Sequence, residues 1–598
     1  MDGSSAAPRE QGAARTGGVL LDVVPGIGAL RAYQARWLSK DLTAGLVLTA
    51  LLVPQGMAYA ELAGLPAVTG LYTSVLCLLG YAVFGPSRIL VLGPDSSLGP
   101  MIAATVLPLV GADGDPARAV VLASALSLLV GATMVLVGVA RLGMIADLLS
   151  KPTQLGYLNG LALTIVVGQL PKLFGFSVDA DGLIAETKGF VEGVTSSETV
   201  PAALGIGTLA LVLILVLQRW LPRIPAVLAA VVVSIAVAAV LDLGSRGVAL
   251  VGVLPQGFPP FTIPRLESGD LPLLVVGAVG ISLVALTDTI STASAFAARS
   301  GEEVRASQEM IGIGSANLAA GLFQGFPVST SASRTAVAEQ SGARTQLTGV
   351  VGAAAIVLML LFLPGLLQNL PQPTLAAVVI AAALSLADIP GTVRLWRQRR
   401  TEWAISIAAF LGVALLGVLA GIAVAVLLSI LNVFRRAWWP YQARLGRVDG
   451  VDGYHDTSTH PSARQLEGLV LFRFDAPLFF ANARTFREEV RRLALATPRP
   501  HWVVVAAEPI TDVDTTAADV LESLVQELSG SGVTLVLAEL KDPVRAKLDR
   551  YEFEHPLGPD RLFRTLDDAV DAYLRAHPGS GWQRPAPGSG DGDGDRAH

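Results

Sequence analysis

The sequence predicts a polytopic α-helical membrane protein with 14 segments in a 7+7 inverted repeat, followed by a soluble α/β domain. Three observations predict this. Of 598 residues, 52% are hydrophobic and 15% charged, with a mean hydropathy of +0.57; a soluble protein carries about 25% charged residues. The apolar excess lies between residues 41 and 438, in runs long enough for helices that cross about 30 Å of hydrocarbon. Second, one layout occurs twice. Asp288 sits inside an apolar segment, and Ser329, after Pro327, follows it by 41 residues; Gln55 sits inside another, and Ser96, after Gly93-Pro94, follows it by 41 residues. Short, Pro-interrupted apolar segments at matching places in two halves point to a carrier whose broken helices face a solute at mid-membrane. Third, strand and helix patterns alternate beyond Trp438-Trp439-Pro440, as an α/β domain requires.

The first seven segments are predicted at 41–62, 66–85, 94–110, 118–140, 152–171, 200–219 and 225–242. The second seven are predicted at 271–298, 306–324, 328–340, 345–363, 372–388, 401–418 and 420–438. Those at 94–110 and 328–340 are short or polar at their starts and need not span fully. With the N-terminus placed inside, loops and ends on that side hold fourteen Lys and Arg residues. The other side holds five: Arg118, Lys172, Lys188, Arg246 and Arg265. This follows the positive-inside rule and predicts cytoplasmic termini in a multi-pass cell-membrane protein. Residues 1–40 read as an N-terminal cytoplasmic segment without a long apolar core, so no cleavable signal peptide is expected.

Residues 439–465 read as a polar linker with solvated His455 and His460, and 466–577 as the α/β domain. In that domain 466–476 alternates as a strand, 484–496 reads as a helix and 502–507 as a buried strand. The stretch 516–529 is a helix with Val520, Leu521, Leu524 and Leu528 at helical spacing. A strand at 533–537 and helices at 543–550 and 566–576 complete it. Residues 578–598 are Gly, Pro, Ser and Asp, and are expected to be disordered.

Several classes are excluded. Net charge is −6, and no basic patch suggests nucleic acid. Cys77 is the lone cysteine, so neither a disulfide framework nor a cysteine metal cluster can form. No metal-ligand spacing, P-loop or nucleophile elbow is present, so neither an enzyme nor an ATP-driven pump is expected, and no cofactor beyond Na+ as a coupling ion.

The candidate site residues follow from the two breaks. A helix N-terminus offers unpaired N–H groups and partial positive charge, which suits an anion. Proline fits a first helical turn. Ser96, Ser97, Ser329, Ser331 and Ser333 are small and add hydroxyl donors, while Arg334 raises the local potential. The same serines could instead bond back to carbonyls in a Pro-kinked helix. Gln55 and Tyr59 are four apart and can face one cavity. Asp288, Ser291 and Thr292 form one polar face, and a charged Asp at mid-membrane needs a cation, a proton or a partner. An ion pair of Asp288 with Arg334 is the structural alternative. Glu61 and Asp95 lie nearby and are the candidates for a second proton site. Asp95 is awkward, because an ionised carboxylate competes with an anion; it reads equally as a second proton site or as a helix cap.

The succession of motifs resembles the SulP family of anion transporters. It runs Asp41-Leu-Thr-Ala-Gly45, Val53-Pro-Gln-Gly-Met-Ala-Tyr-Ala60, Leu62-Ala-Gly-Leu-Pro66, Gly70-Leu-Tyr72, Phe84-Gly-Pro-Ser-Arg88, Ser150-Lys-Pro152, Gly156-Tyr-Leu-Asn-Gly-Leu-Ala162 and Gln169-Leu-Pro-Lys-Leu173. The soluble end resembles a STAS domain through Phe472–Asn482 and Thr511–Thr516. The resemblance implies a substrate site at Gly93, Pro94, Ser96 and Ser97 and at Ser329, Thr330, Ser331, Ser333 and Arg334, with Gln55 and Tyr59 beside it. It implies a core bundle of segments one to four and eight to eleven, and a gate bundle of the rest. Asp288 and Thr292 match positions that bind sodium in bicarbonate-transporting relatives, and an acidic residue in this helix is linked to proton coupling in plant sulfate transporters. Many relatives have a small or apolar residue in place of Asp95.

Asp514, Thr515 and Thr516 match the loop that carries a phosphorylated Ser or Thr in stand-alone STAS proteins, although Ala517 stands where those have Gly. A plain helix cap is the alternative. The expected function is Na+- or H+-coupled movement of a small inorganic oxyanion, sulfate first, in a homodimer with a cytoplasmic partner for the STAS domain. Bicarbonate or dicarboxylate transport, a nucleobase-type carrier and a membrane-anchored STAS signalling protein are the alternatives.

Overall fold

The computed structural model describes residues 24–578 apart from 112–113, 144–148, 179, 181, 222–223, 301–302, 449–450 and 552–558. The expectations for residues 1–23, for Arg223 and for the tail beyond Pro578 lie outside the described residues. The chain divides into two compact units, one ending at Ser429 and one starting at Ile430.

In the first unit α1 (Pro25–Arg31) precedes two halves of matching order. The first half holds α2 (Leu38–Leu62), α3 (Ala67–Phe84), β1 (Leu92–Gly93), α4 (Gly99–Val110), α5 (Pro116–Val139), α6 (Lys151–Phe174), α7 (Leu183–Thr195), α8 (Pro201–Trp220) and α9 (Ala226–Val240). The second holds α10 (Leu271–Ser300), α11 (Ala306–Leu322), β2 (Ser329–Thr330), α12 (Ala332–Gln340), α13 (Leu347–Phe362), α14 (Gln372–Leu386), α15 (Ile389–Gln398), α16 (Arg400–Leu416) and the start of α17 (Val418–Trp438), the helix within which the division between the units falls. Every predicted segment has its helix. Each half also inserts one short helix at the same place, α7 and α15, which hydropathy overlooks because neither is an apolar span. Among the described residues, seven helices are long and apolar enough to cross a membrane.

Packing sorts these helices into two bundles. α11 lies against α3 and α5, α13 against α2 and α3, and α10 against α4 and α5; α6 lies against α14 and α16, and α14 against α8. These are the predicted core and gate groups. Helix starts are set by local chemistry. Asp115 caps α5, its carboxylate accepting from Ala117 N–H at 2.9 Å, with Pro116 next. Close approach of α2 and α3 rests on glycine: a Cβ at Gly70 would lie 1.9 Å from the Gly56 carbonyl oxygen.

The two breaks differ from expectation. Helices predicted from 94 and 328 start at Gly99 and Ala332, and the residues before them are extended or turned. Pro94 and Pro327 are therefore outside the first helical turns. Ser331 caps α12, accepting from Arg334 N–H at 3.4 Å. Leu92 pairs with Thr330 and Gly93 with Ser329 in a two-stranded antiparallel bridge, so both breaks meet at one point.

The second unit is a six-stranded sheet in the order β4-β3-β5-β6-β7-β8. Residues 439–465, read as a linker, supply two of its strands, β3 (Gln442–Gly446) and β4 (His455–Asp456). The remaining strands are β5 (Leu469–Phe474), β6 (Trp502–Ala506), β7 (Thr534–Ala538) and β8 (Leu562–Phe563). Pairing is antiparallel up to β5 and parallel from β5 to β8. Alternation splits the buried faces. Val503, Val505, Leu535 and Leu537 pack with residues of α18 (Ala483–Ala494), α19 (Thr515–Gly530) and α20 (Asp542–Arg550). Val504, Ala506, Val536 and Ala538 pack with Ala569, Val570 and Tyr573 of α21 (Leu566–Ala576). β8 escapes a sequence reading because two residues show no period.

Candidate functional site

The site is built where β1 and β2 cross. Ser331 N–H donates to the Val91 carbonyl at 3.0 Å, and Val91 N–H donates to Thr335 Oγ1 at 3.0 Å. Asn317 of α11 holds the approach to β2: Val328 N–H donates to its Oδ1 at 2.9 Å, and its amide donates back to the Val328 carbonyl at 3.3 Å. The crossing is thereby fixed from both halves of the repeat.

Arg334 is the main charged group here, 1% exposed. Its Nη2 donates to the Pro94 carbonyl at 2.7 Å and lies 3.8 Å from Asp95 Oδ2. Its Nε and Nη1 are buried with no hydrogen-bond partner, as is Ser329 Oγ. A buried unpaired guanidinium nitrogen costs roughly 1–3 kcal/mol or more, a cost that an anion accepting from it removes. The guanidinium lies over Gly93, where a Cβ would stand 2.5 Å from Nη1.

Asp95 closes a turn: its Oδ1 accepts from Ser97 N–H at 2.9 Å and from Ser97 Oγ at 2.7 Å. Its backbone carbonyl accepts from Leu98 and Gly99 N–H groups, which delays the start of α4. Ser97 Oγ also lies 3.2 Å from Asp288 Oδ2. The structural alternative for Asp288, a pair with Arg334, is not formed, since Arg334 faces Asp95. Among the described residues, Asp288 makes no ion pair.

The other predicted residues distribute as follows. Tyr59 is buried beside Ser96, Asp95 and Arg334. Gln55 is half-buried on the same helix. Thr330 Oγ1 lies 3.5 Å from Thr289 Oγ1. Ser331 and Ser333 hydroxyls are 3.1 Å apart, with Ser333 exposed. Thr292 is buried but Ser291 is exposed, so the expected polar face of α10 is split between interior and exterior. Glu61 stands apart from the crossing, at the end of α2, where Lys172 Nζ donates to its backbone carbonyl at 3.4 Å.

Sequence reading missed Gln154, Tyr157 and Thr289. Gln154 and Tyr157 of α6 face Asp288, and the Tyr157 hydroxyl is buried without a partner. They lie between Ser150-Lys-Pro152 and Leu158, and their three-residue spacing on an otherwise apolar face was the available signal.

In the second unit Asp514 caps α19. Its Oδ1 accepts from Ala517 N–H and its Oδ2 from Phe480 N–H, both at 2.8 Å. Thr515 and Thr516 are exposed on the first turn. The Lys547 ammonium, 2.5 Å from Asp512, holds that carboxyl below its usual range.

The model of the sulfate permease family matches residues 38–409, and that of the STAS domain matches residues 460–569. A probable sulfate transporter of Mycobacterium tuberculosis is 42% identical over 552 residues, 92% of this chain and 98% of the relative. Sulfate transporter 4.1, chloroplastic, of Arabidopsis thaliana is 30% identical over 571 residues, 91% of this chain and 82% of the relative. Among solved structures, the murine Solute Carrier 26 family member A9 anion transporter in the inward-facing state aligns with a TM-score of 0.85 at 23% identity. It covers 95% of this chain and 96% of that one. The transmembrane domain of a cyanobacterium bicarbonate transporter aligns with a TM-score of 0.57 at 20% identity, over 67% of this chain and 98% of that one. At these identities the structural likeness speaks for the fold.

Proposed function

The chain belongs to the sulfate permease family, and we propose that it moves a small oxyanion, sulfate first, across the membrane in company with Na+ or H+ held at Asp288. Membership makes it a multi-pass anion transporter rather than an enzyme. The relatives named as sulfate transporters support sulfate as substrate. The arginine surplus on one side of the predicted topology supports cytoplasmic termini.

One observation carries the coupling: the charge count around the crossing. Arg334 is matched by Asp95, while Asp288 faces only neutral groups and Asp95. The formal sum over the three is −1 before any solute arrives. At an effective dielectric of about 20, two like unit charges about 6 Å apart repel by roughly 3 kcal/mol, and a dianion doubles that. A proton or Na+ on Asp288 removes the opposition. The Ser97 hydroxyl beside it, and that of buried Thr292 one turn further along the Asp288 helix, are oxygen donors that suit a hard cation. The anion takes its hydrogen bonds from the free nitrogens of Arg334 and from Ser329. Rocking of the bundle that holds the crossing against the other then exposes the loaded site alternately.

The test is uptake of labelled sulfate by the purified chain in liposomes under imposed Na+ or pH gradients. Asp288→Asn is expected to abolish gradient-driven uptake while leaving sulfate counterflow. Gradient-driven uptake at the wild-type rate in that variant overturns the coupling role. Competition by bicarbonate, dicarboxylates and uracil ranks the substrates, and displacement by uracil but not by sulfate overturns the anion reading.

A further inference from the structure

α15 is the short helix that the second half inserts between two membrane crossings. Its start is latched to α6. Asp388 caps it, accepting from Gly391 N–H at 2.7 Å; Asn159 accepts from Asp388 N–H at 2.8 Å and donates to Thr392 Oγ1 at 2.9 Å. Gly391 and Leu395 turn inward and are buried. Ile389, Val393 and Trp396, at helical spacing on the opposite side, are 59%, 46% and 47% exposed. An exposed stripe of this kind on a helix between two spans belongs at the hydrocarbon boundary rather than in water.

Charge lies along one edge of that stripe. Arg394 and Arg397 are exposed, and among the described residues neither has a carboxylate within ion-pair distance. With Ile389, Pro390 and Val393 they line a shallow, open groove along this one helix. The neighbouring arginines are engaged: Arg399 bonds Glu402 at 2.8 Å, and the Arg400 guanidinium lies 5.3 Å from the centre of the Trp396 ring. Trp396 also meets Trp403 edge-on, at 4.6 Å between ring centres, forming an aromatic pair of the kind that settles at headgroup depth.

We propose that this groove binds one anionic glycerophospholipid of the leaflet that faces the arginine-rich loops. The phosphodiester would lie between Arg394 and Arg397, with the upper acyl chain along Ile389 and Val393. An apolar floor beside two unpaired guanidinium groups matches an anionic amphiphile. A free inorganic anion would leave the floor bare. Arginine suits phosphate oxygens through its planar fork.

The test uses the full chain in nanodiscs of phosphatidylcholine with one-third phosphatidylglycerol, transferred to detergent. Lipid retained per protein is counted by native mass spectrometry. Wild type is expected to retain phosphatidylglycerol over phosphatidylcholine, with the preference falling as salt rises. Arg394→Gln/Arg397→Gln should lower the preference by roughly twenty- to thirtyfold, the equivalent of about 1 kcal/mol per arginine. Arg246→Gln, a charge removed elsewhere on the surface, should leave it unchanged. Equal retention of both lipids by wild type overturns the proposal without recourse to any variant, as does an unaltered preference in the double variant. Displacement of the lipid by millimolar glycerol phosphate would also overturn it, since that result assigns the groove to a soluble phosphate.

Discussion

Gly93→Ala reaches Arg334 without touching its charge. Gly93 has an ordinary φ, so alanine adds no backbone strain. The new methyl would stand 2.5 Å from Arg334 Nη1 and 3.2 Å from Cζ, against an ordinary contact of about 3.5–4.0 Å. The guanidinium must retreat by roughly 1 Å. Its side chain is 1% exposed, so the retreat stretches the 2.7 Å bond from Nη2 to the Pro94 carbonyl. A hydrogen bond made by a charged group contributes about 1.5–3 kcal/mol. Nη1, the nitrogen displaced, is also one that the proposed anion site uses, so with one charge-assisted bond of about 2 kcal/mol to the anion lost, the apparent KM for sulfate rises about thirtyfold. The assay is initial-rate uptake in proteoliposomes at matched protein content, for Gly93→Ala, Arg334→Lys and the pair. If glycine acts through the guanidinium, adding Gly93→Ala to Arg334→Lys raises KM no more than about twofold, because the fork it displaces has gone. An unchanged KM in Gly93→Ala, or a full thirtyfold addition in the pair, refutes the reasoning.

Two further outcomes concern stability. Buried Asp41 accepts from Arg344 N–H at 2.7 Å, Thr345 N–H at 3.2 Å, Thr345 Oγ1 at 2.8 Å and Thr348 Oγ1 at 3.2 Å, tying α2 to the start of α13. Asp41→Ala strands these donors and, at about 1–3 kcal/mol for a buried donor left without an acceptor, should destabilise the chain by roughly 2–4 kcal/mol; a thermal midpoint in detergent equal to wild type would contradict this. In the second unit Glu527 is held below its usual carboxyl range by its bond from Arg487 at 2.8 Å, assisted by Arg491 at 2.9 Å. A depressed folded value stabilises above the unfolded pKa of about 4.3, and the contribution is lost as pH falls through the depressed one. Glu527→Gln should therefore cost the second unit less than about 1 kcal/mol of stability at pH 7, for so exposed a pair, and the gap to wild type should close as pH falls through the depressed value. A Tm gap independent of pH would rule out the ionic origin.

Much of the architecture was legible because burial in lipid imposes long apolar periods, and the twofold layout around Asp288 and Gln55 exposed the repeat. The breaks were legible as places but not as conformations. Pro94 suggested a first helical turn, yet the Asp95–Ser97 turn competes for the same residues and places the helix start at Gly99. The bridge between Leu92–Gly93 and Ser329–Thr330 joins residues more than two hundred positions apart, and no local pattern announces it. α15 was hidden because its apolar positions are few and interrupted, and its arginines read as loop charge. The strands within 439–465 were hidden by the polar side chains around them.

Asp95 shows why local charge alone misjudges such a site. In the sequence it looks hostile to an anion. In the fold one oxygen closes a turn with Ser97 and the other faces Arg334, so its charge is spent on the arginine. An unopposed Arg334 in a low-dielectric crossing would hold a dianion tightly, and a carrier gains nothing from a solute it cannot release. With Asp95 in place, attraction must come from the free Nε and Nη1, the Ser329 hydroxyl and whatever cation or proton occupies Asp288. Removing that last contribution weakens the anion site at once, because Asp288 then repels from the opposite side. On the proposed reading, release of the driving ion and release of the anion become one event, set by the placement of two carboxylates around one guanidinium.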